Sequence, residues 1–520
     1  MLALDGLHRL RAAPLRVLEL VAREHACEHP DKACHGDACP LARGFYDRLG
    51  DAREEAARAG WLDKAALRDI ALKHGICPYH LGQDLQRWAD VVVGDVNHWF
   101  DLSAGAWSLA EADELRVQLL VDEAHNLIER ARRMHSATLD PQALAALRAS
   151  APTALKPALD KLHRAWGIAS KALDGDHTVL PGLPGAFVEA LRRHLVALGD
   201  FLAQHPAHVP AVQPWYFDAL HWLRVAEGFG DHSMVDLTPS RQKGRAQLHL
   251  RCIVPGPLLA PRWASAFGAT LFSATLAPMD HVQRLLGLPD ATARIDVPSP
   301  FDASQLQVRV APHLSTRWAD RLRTLPPLVH EIAAQYRASP GNYLAFFSSF
   351  DYLQQAFDAF VTSHPDVPVW AQSRAMGEPQ REAFIARFEP GGRGIGFAVL
   401  GGAFGEGIDL PGTRLVGAFI ATLGLPPINP VNEHMRERLH AMSGHGWEDT
   451  YLVPGLQKVV QAAGRVIRTP QDRGVVVLLD DRFARPEVRA LMPAWWGMHG
   501  DGLNRLRPPP AHRTRAPDSA

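Results

Sequence analysis

Val117-Gln118-Leu119-Leu120-Val121-Asp122-Glu123-Ala124-His125 runs a short apolar stretch straight into two adjacent carboxylates. Such a run reads as a buried strand of a parallel sheet, and its polar end as the carboxyl edge of that sheet, where open α/β sheets bind ligands. Phosphoanhydride hydrolysis needs one carboxylate to hold Mg²⁺ and a second to orient or deprotonate water. Asp122 and Glu123 supply both, with His125 beside them. Taken alone, the stretch reads equally well as a solvated strand end.

The same grammar extends outward. Val91-Val92-Val93 is a second buried-strand signal, followed by Asn97-His98. From 131 to 245 the pattern is helical, and Phe187, Leu191, Leu195 and Leu198 share one face that reads as core. Leu248, Leu250 and Cys252 alternate with His249 and Arg251, which predicts a strand with Cys252 as a buried core thiol. Ala269–Phe272 is a further strand ending in Ser273-Ala274-Thr275. Those hydroxyls suit a relay between a nucleotide and a second site, or simply a helix start. Beyond 301, Tyr343–Phe347, Ile395–Leu400, Leu415–Ile420 and Val475–Leu479 predict the strands of a second α/β unit. Gly405-Glu406-Gly407-Ile408-Asp409 follows one of them, and its glycines allow close approach to a ligand. Gln461, Arg465 and Arg468 are spaced by four and three, which predicts one helical face able to present two guanidiniums to a γ-phosphoryl group. The alternatives are a plain glycine turn and a surface helix.

Composition sets the frame. The chain has 520 residues, 47% hydrophobic and 21% charged, with a net charge of −1. That excludes a global basic field but not a local basic channel. No apolar run reaches membrane-spanning length and no signal segment opens the chain, so cytoplasmic residence is expected. Four of the five cysteines, Cys27, Cys34, Cys39 and Cys77, crowd the start in the spacing C-x6-C-x4-C-x37-C. In a cytoplasmic chain such a group suggests metal before disulfide. His25, His29 and His35 keep a mixed zinc site open as an alternative.

In this order, the segments resemble motifs II, III, V and VI of a superfamily 2 helicase, and Phe346-Phe347-Ser348-Ser349 fits motif IV. With four cysteines before the Asp-Glu-Ala-His box, and Ser299-Pro300-Phe301 opening the second α/β unit, the layout is similar to the iron–sulfur helicases of the XPD/DinG type, especially the bacterial DinG-like branch. The resemblance implies two RecA-like motor domains with iron–sulfur and helical arch insertions. Its boundaries are 1–25 for a remnant of motor domain 1, 26–80 for the iron–sulfur domain, and 81–130 for motor domain 1. The arch then spans 131–245, the end of motor domain 1 spans 246–300, motor domain 2 spans 301–507, and 508–520 is a disordered tail. It further implies a [4Fe–4S] cluster on Cys27, Cys34, Cys39 and Cys77, and ATP with Mg²⁺ at Asp122, Glu123 and His125. Gln461, Arg465 and Arg468 would reach the γ-phosphate. Ser273, Thr275, Glu406, Gly407 and Asp409 would couple nucleotide to DNA. The activity implied is 5′–3′ translocation on single-stranded or forked DNA in repair or replication, alongside partner proteins of those processes.

One part of the pattern is missing. A P-loop needs G-x-x-x-x-G-K-[ST], and none of the eight lysines is followed by Ser or Thr. In the family that motif precedes the cysteines. The expectation is therefore a truncated start, with Met1 an internal residue, a first motor domain short of a strand, and little or no ATP hydrolysis. Two other readings stay open: a non-catalytic single-strand DNA-binding fragment, and a zinc-stabilised interaction module.

Overall fold

The computed structural model describes residues 15–32, 34–205, 209–405 and 408–498, together with Leu4 and Gly6. Glu406, Gly407 and the expected tail 508–520 lie outside the described residues. The chain divides into two compact units, Met1–Leu276 with Val282–Asp290, and Ala277–His281 with Ala291–Ala520. No described helix is long and apolar enough to cross a membrane.

The first unit opens with a parallel sheet of three strands in the order β2-β1-β3, where β1 is Val17–Glu19, β2 Trp61–Leu62 and β3 Val91–Val93. Arg16 ties β1 to β3 by donating Nε and Nη2 to the two oxygens of Asp90 at 3.0 and 2.8 Å. Leu18 and Leu20 pack against Leu49, Ala52, Leu67, Ile70 and Leu81 from the helices that follow, making a small core beside the cysteines. Gly75, at φ +67°, follows the helix Lys64–Lys73, a left-handed position that glycine adopts without strain.

Two further strands, β4 (Gln118–Val121) and β9 (Gly268–Leu271), form a separate parallel pair. Here the structure corrects the sequence reading. The strands are parallel as expected, but neither β4 nor the earlier β3 is fully buried: Leu120 of β4 is 71% exposed and Val92 of β3 42%. Among the described residues, β4 pairs with β9 alone, so its faces lack the cover that a wide doubly wound sheet provides.

The segment between β4 and β9 is also more than helical. β5 (Ala137–Leu139), β6 (Thr178–Val179), β7 (Ser233–Pro239) and β8 (Ala246–Cys252) make an antiparallel sheet in the order β5-β8-β7-β6. A boundary at 245/246 therefore cuts the β7–β8 hairpin, because β7 carries a strand alternation inside what periodicity assigns to helices. The helices Lys156–Ser170, Gly185–Gln204 and Val209–Glu227 pack on this sheet around Trp166 and Trp222. Phe187, Leu191, Leu195 and Leu198 are buried as their spacing predicts, and so is Cys252, whose thiol burial pushes up to about 12.

The second unit is built on six parallel strands: β10 (Leu306–Val310), β11 (Asn342–Phe347), β12 (Val369–Ala371), β13 (Gly394–Val399), β14 (Gly417–Ala421) and β15 (Gly474–Leu478). Their order is β10-β15-β14-β11-β13-β12. Alternation sorts their side chains onto two faces. Leu344, Phe346, Ala398, Ile420 and Val476 join Leu456 and Val459 of the helix Val453–Ala463 on one side. Tyr343, Ala345, Phe347, Phe397 and Val477 join Ile332, Leu353 and Phe360 of the helices Arg321–Ala338 and Phe350–Ser363 on the other. A sheet covered on both faces is the α/β arrangement expected for this half.

Candidate active site

β4 delivers Asp122 and Glu123 to its carboxyl end, both exposed. Glu123 is one of two non-glycine residues with positive φ among those described, at φ 46° and ψ 42°. That left-handed conformation costs a non-glycine residue on the order of 1–3 kcal/mol and persists where surroundings over-determine it. The surroundings are visible. Glu123 N–H donates to Asp122 Oδ1 at 2.7 Å, and Ala124 N–H donates to the Phe272 carbonyl at 3.2 Å. This turn aims the Glu123 carboxylate at the end of β9.

There Ser273 Oγ donates to Glu123 Oε2 at 3.2 Å and lies 2.7 Å from His125 Nδ1. A hydroxyl has one proton and a carboxylate only accepts, so with Oγ donating to Glu123 the Nδ1 of buried His125 is the donor to Oγ. Thr275 N–H donates to the same oxygen at 3.1 Å. His125 Nδ1 is also 3.3 Å from Glu123 Oε2. Asp122, Glu123, His125, Ser273 and Thr275 thus form one group, with Asp122 open to solvent for a cation and Glu123 positioned by hydrogen bonds. Sequence spacing cannot anticipate this joining, because 148 residues separate His125 from Ser273.

In the second unit, Gln461 lies on the helix Val453–Ala463, which ends at Ala463. Arg465 and Arg468 lie beyond it, so the expected single helical face is corrected. After Ala463 the ladder tightens, with Arg465 N–H and Val466 N–H donating to the Ala462 and Ala463 carbonyls, and Asp472 Oδ2 then accepts N–H from both Arg468 and Thr469 at 2.7 Å. Arg465 Nη1 donates to the Ile408 carbonyl at 2.9 Å, and Arg468 Nε donates to Asp409 Oδ1 at 2.9 Å. The arginine segment is thereby bound to the glycine-rich segment after β13, although Glu406 and Gly407 themselves are not among the described residues.

Cys77 caps the helix Pro78–Leu85. Burial pushes its thiol up, while the backbone N–H groups of His80 and Tyr79 pull it down. Cys34 is exposed and accepts from Arg23 Nη1 at 3.9 Å. Four soft thiols suit an iron–sulfur cluster in donor chemistry. Among the described residues, however, no three His, Cys, Asp or Glu converge at metal-ligating distance. His98 of the Asn97-His98 pair is half-buried, and burial lowers its pKa.

A family model described as "Helicase C-terminal domain" matches residues 332–499, and one described as "DEAD_2" matches residues 13–144. The human "Regulator of telomere elongation helicase 1" is 24% identical over 607 residues, covering 93% of this chain and 49% of that protein. The "ATP-dependent DNA helicase DinG" of Photobacterium profundum is 28% identical over 239 residues, covering 42% of this chain and 32% of that protein. The chain spans about half the length of the curated relatives it matches across most of its own length. Among solved structures, an XPD helicase superposes with a TM-score of 0.60 at 17% identity, covering 97% of this chain and 88% of the other. The S. tokodaii Xpd4 structure gives 0.52 at 15% identity, covering 76% and 79%. At these identities the likeness is one of fold.

Proposed function

The chain belongs to the XPD/DinG type of superfamily 2 helicase, and from that premise we propose that it works as an ATP-driven motor on single-stranded or forked DNA, moving 5′ to 3′ in repair or replication. The observation that carries this reading is the strained, hydrogen-bonded Glu123 at the end of β4, with Asp122 open beside it and Ser273 and His125 behind it. Asp122 holds Mg²⁺. Glu123 orients the attacking water and takes its proton, and the Ser273 hydroxyl fixes the carboxylate. Gln461, Arg465 and Arg468 stabilise charge on the γ-phosphoryl group. Asp409, with Glu406, Gly407 and Thr275, passes the nucleotide state to the DNA. Cys27, Cys34, Cys39 and Cys77 would hold a [4Fe–4S] cluster.

A second reading is favoured by one feature. The sequence contains no G-x-x-x-x-G-K-[ST], so the backbone cradle and lysine that normally grip the β- and γ-phosphates have no counterpart. A chain without them binds single-stranded DNA without hydrolysing ATP. ATP turnover by the purified chain, with and without single-stranded DNA and beside Glu123→Gln, separates the two. DNA-stimulated turnover that Glu123→Gln abolishes supports the motor. DNA binding without turnover supports the second reading, and neither activity sinks both. Iron with acid-labile sulfide in the same preparation supports the cluster, whereas one zinc per chain overturns it.

A further inference from the structure

The turn after β10 reads Arg317-Trp318-Ala319-Asp320-Arg321-Leu322-Arg323. Trp318 is 84% exposed and Leu322 80%. Trp318 lies on the short 3-10 turn Trp318–Asp320 and Leu322 in the first turn of the helix Arg321–Ala338 that follows it, so both exposed side chains stand at the start of one helix. Two large apolar side chains left in water at one helix start mark an interaction site more often than an accident of the surface.

The turn is braced. Thr316 donates N–H and Oγ1 to Asp480 Oδ2 at 2.8 and 2.5 Å. Arg317 forks onto Asp481 at 2.7 and 3.1 Å. Thr324 Oγ1 donates to the Ser315 carbonyl at 2.6 Å. Arg321 donates to the Thr316 carbonyl at 3.1 Å and to Ser348 Oγ at 2.8 Å, and its guanidinium lies 4.4 Å over the Tyr352 ring. The indole is therefore presented from a rigid base.

Position and charge select the occupant. The Arg321–Ser348 bond puts this turn at the carboxyl end of β11, the rim of the sheet from which β13 also leads into the segment bearing Asp409. Three of the four charged side chains in 317–323 are arginines; Arg317 is held by Asp481 and Arg323 pairs with Asp320, and Arg323, its side chain 73% exposed, is the one most open to a phosphate. A single nucleic-acid strand presents phosphates to arginines and bare base faces to an indole, whereas a duplex hides its base faces in the stack. We propose that Trp318, flanked by Leu322, is a base-stacking platform for single-stranded DNA on the second unit. The proposal rests on the DNA-binding reading given above.

The test is anisotropy of a fluorescein-labelled oligothymidylate across a salt series, with wild type, Trp318→Ala and Trp318→Phe. Because the ring is exposed, all three keep the same melting temperature. Trp318→Ala weakens binding on the order of tenfold, and Trp318→Phe retains most of the affinity. The slope of log affinity against log salt stays the same in all three, because no phosphate contact is removed. Equal affinity of Trp318→Ala and wild type overturns the platform while leaving DNA binding intact. So does a Trp318→Ala variant whose only change, by sedimentation, is loss of self-association. If wild type binds no oligothymidylate even at about 50 mM salt, the DNA-binding reading falls, and the platform with it.

Discussion

In the second unit, β13 lies between β11 and β12 with five of its six residues buried; in the first, β4 pairs with β9 alone and leaves Leu120 71% exposed. Both strands are parallel and apolar, and both lead into segments assigned to the nucleotide. The contrast shows that strand composition does not determine how firmly a site is held. Around β13, Phe397 stacks on Phe347 at 5.6 Å between ring centroids and meets Phe357 and Phe360 edge-on. Around β4, cover is thin and geometry depends on local hydrogen bonds: Phe272 N–H to the Val121 carbonyl at 3.0 Å, Ala124 N–H to Phe272, and the Ser273 hydroxyl. The arginine side rests on a packed sheet and the carboxylate side on a polar latch.

The largest effect expected from this contrast is in stability. Phe397→Ala should cost about 3–5 kcal/mol, the range for emptying a fully buried aromatic site. Leu120→Ala should stay within about 0.5 kcal/mol, as for an open surface position. Urea melts of the two variants decide it, and equal losses would mean that the β4–β9 pair is covered in solution.

The next effect concerns acid. In the first unit His135, His194 and His249 are buried and each is held at about 4 by desolvation, against an ordinary value near 6.5. His194 Nε2 accepts the Trp215 indole N–H at 3.0 Å, so its neutral form is the one the core uses. Because the folded pKa is depressed, the unfolded chain binds these protons first. Their contribution is complete above about pH 6.5 and falls away toward pH 4, by about 3 kcal/mol per histidine at the limit. Limited proteolysis between pH 7 and 4 should open the helical and antiparallel part of the first unit before the β10–β15 sheet. Simultaneous cleavage of both units would remove this difference between them.

Much of this organisation was legible in the residues. Ile395–Leu400 and Val475–Leu479 announce buried parallel strands because both faces of such a strand are apolar, and Phe187 through Leu198 announce a helix by their period. Other features were not legible, for physical reasons. The exposure of Val92 and Leu120 depends on what covers a strand, which the strand does not encode. β6 spans two residues, Thr178 and Val179, too short for any period to register. The Gln461–Arg468 spacing fits a helix, but the ladder tightens to i−3 bonds at Arg465 and Val466, and Asp472 takes the N–H groups of Arg468 and Thr469. Ser273 was a weak signal by itself and gained meaning only when the fold placed it between Glu123 and His125. Trp318 gave no signal, since its significance lies in exposure on a braced turn.

The smallest effect separates the two ways of holding a site. Ser273→Ala removes the hydroxyl that accepts from His125 Nδ1–H and Thr275 N–H and donates to Glu123. His125 is buried, so loss of its acceptor should cost roughly 1 kcal/mol or somewhat more. Arg468→Ala breaks a pair with Asp409, which is 68% exposed, and water replaces the lost contact on the carboxylate. That loss should be at most about 1 kcal/mol and should shrink in added salt. Denaturant titration of both variants at low and high salt distinguishes them: the Ser273→Ala loss should be insensitive to salt and the Arg468→Ala loss should not. A salt-sensitive Ser273→Ala loss would mean that Glu123 is held chiefly by charge and not by the Ser273 hydroxyl.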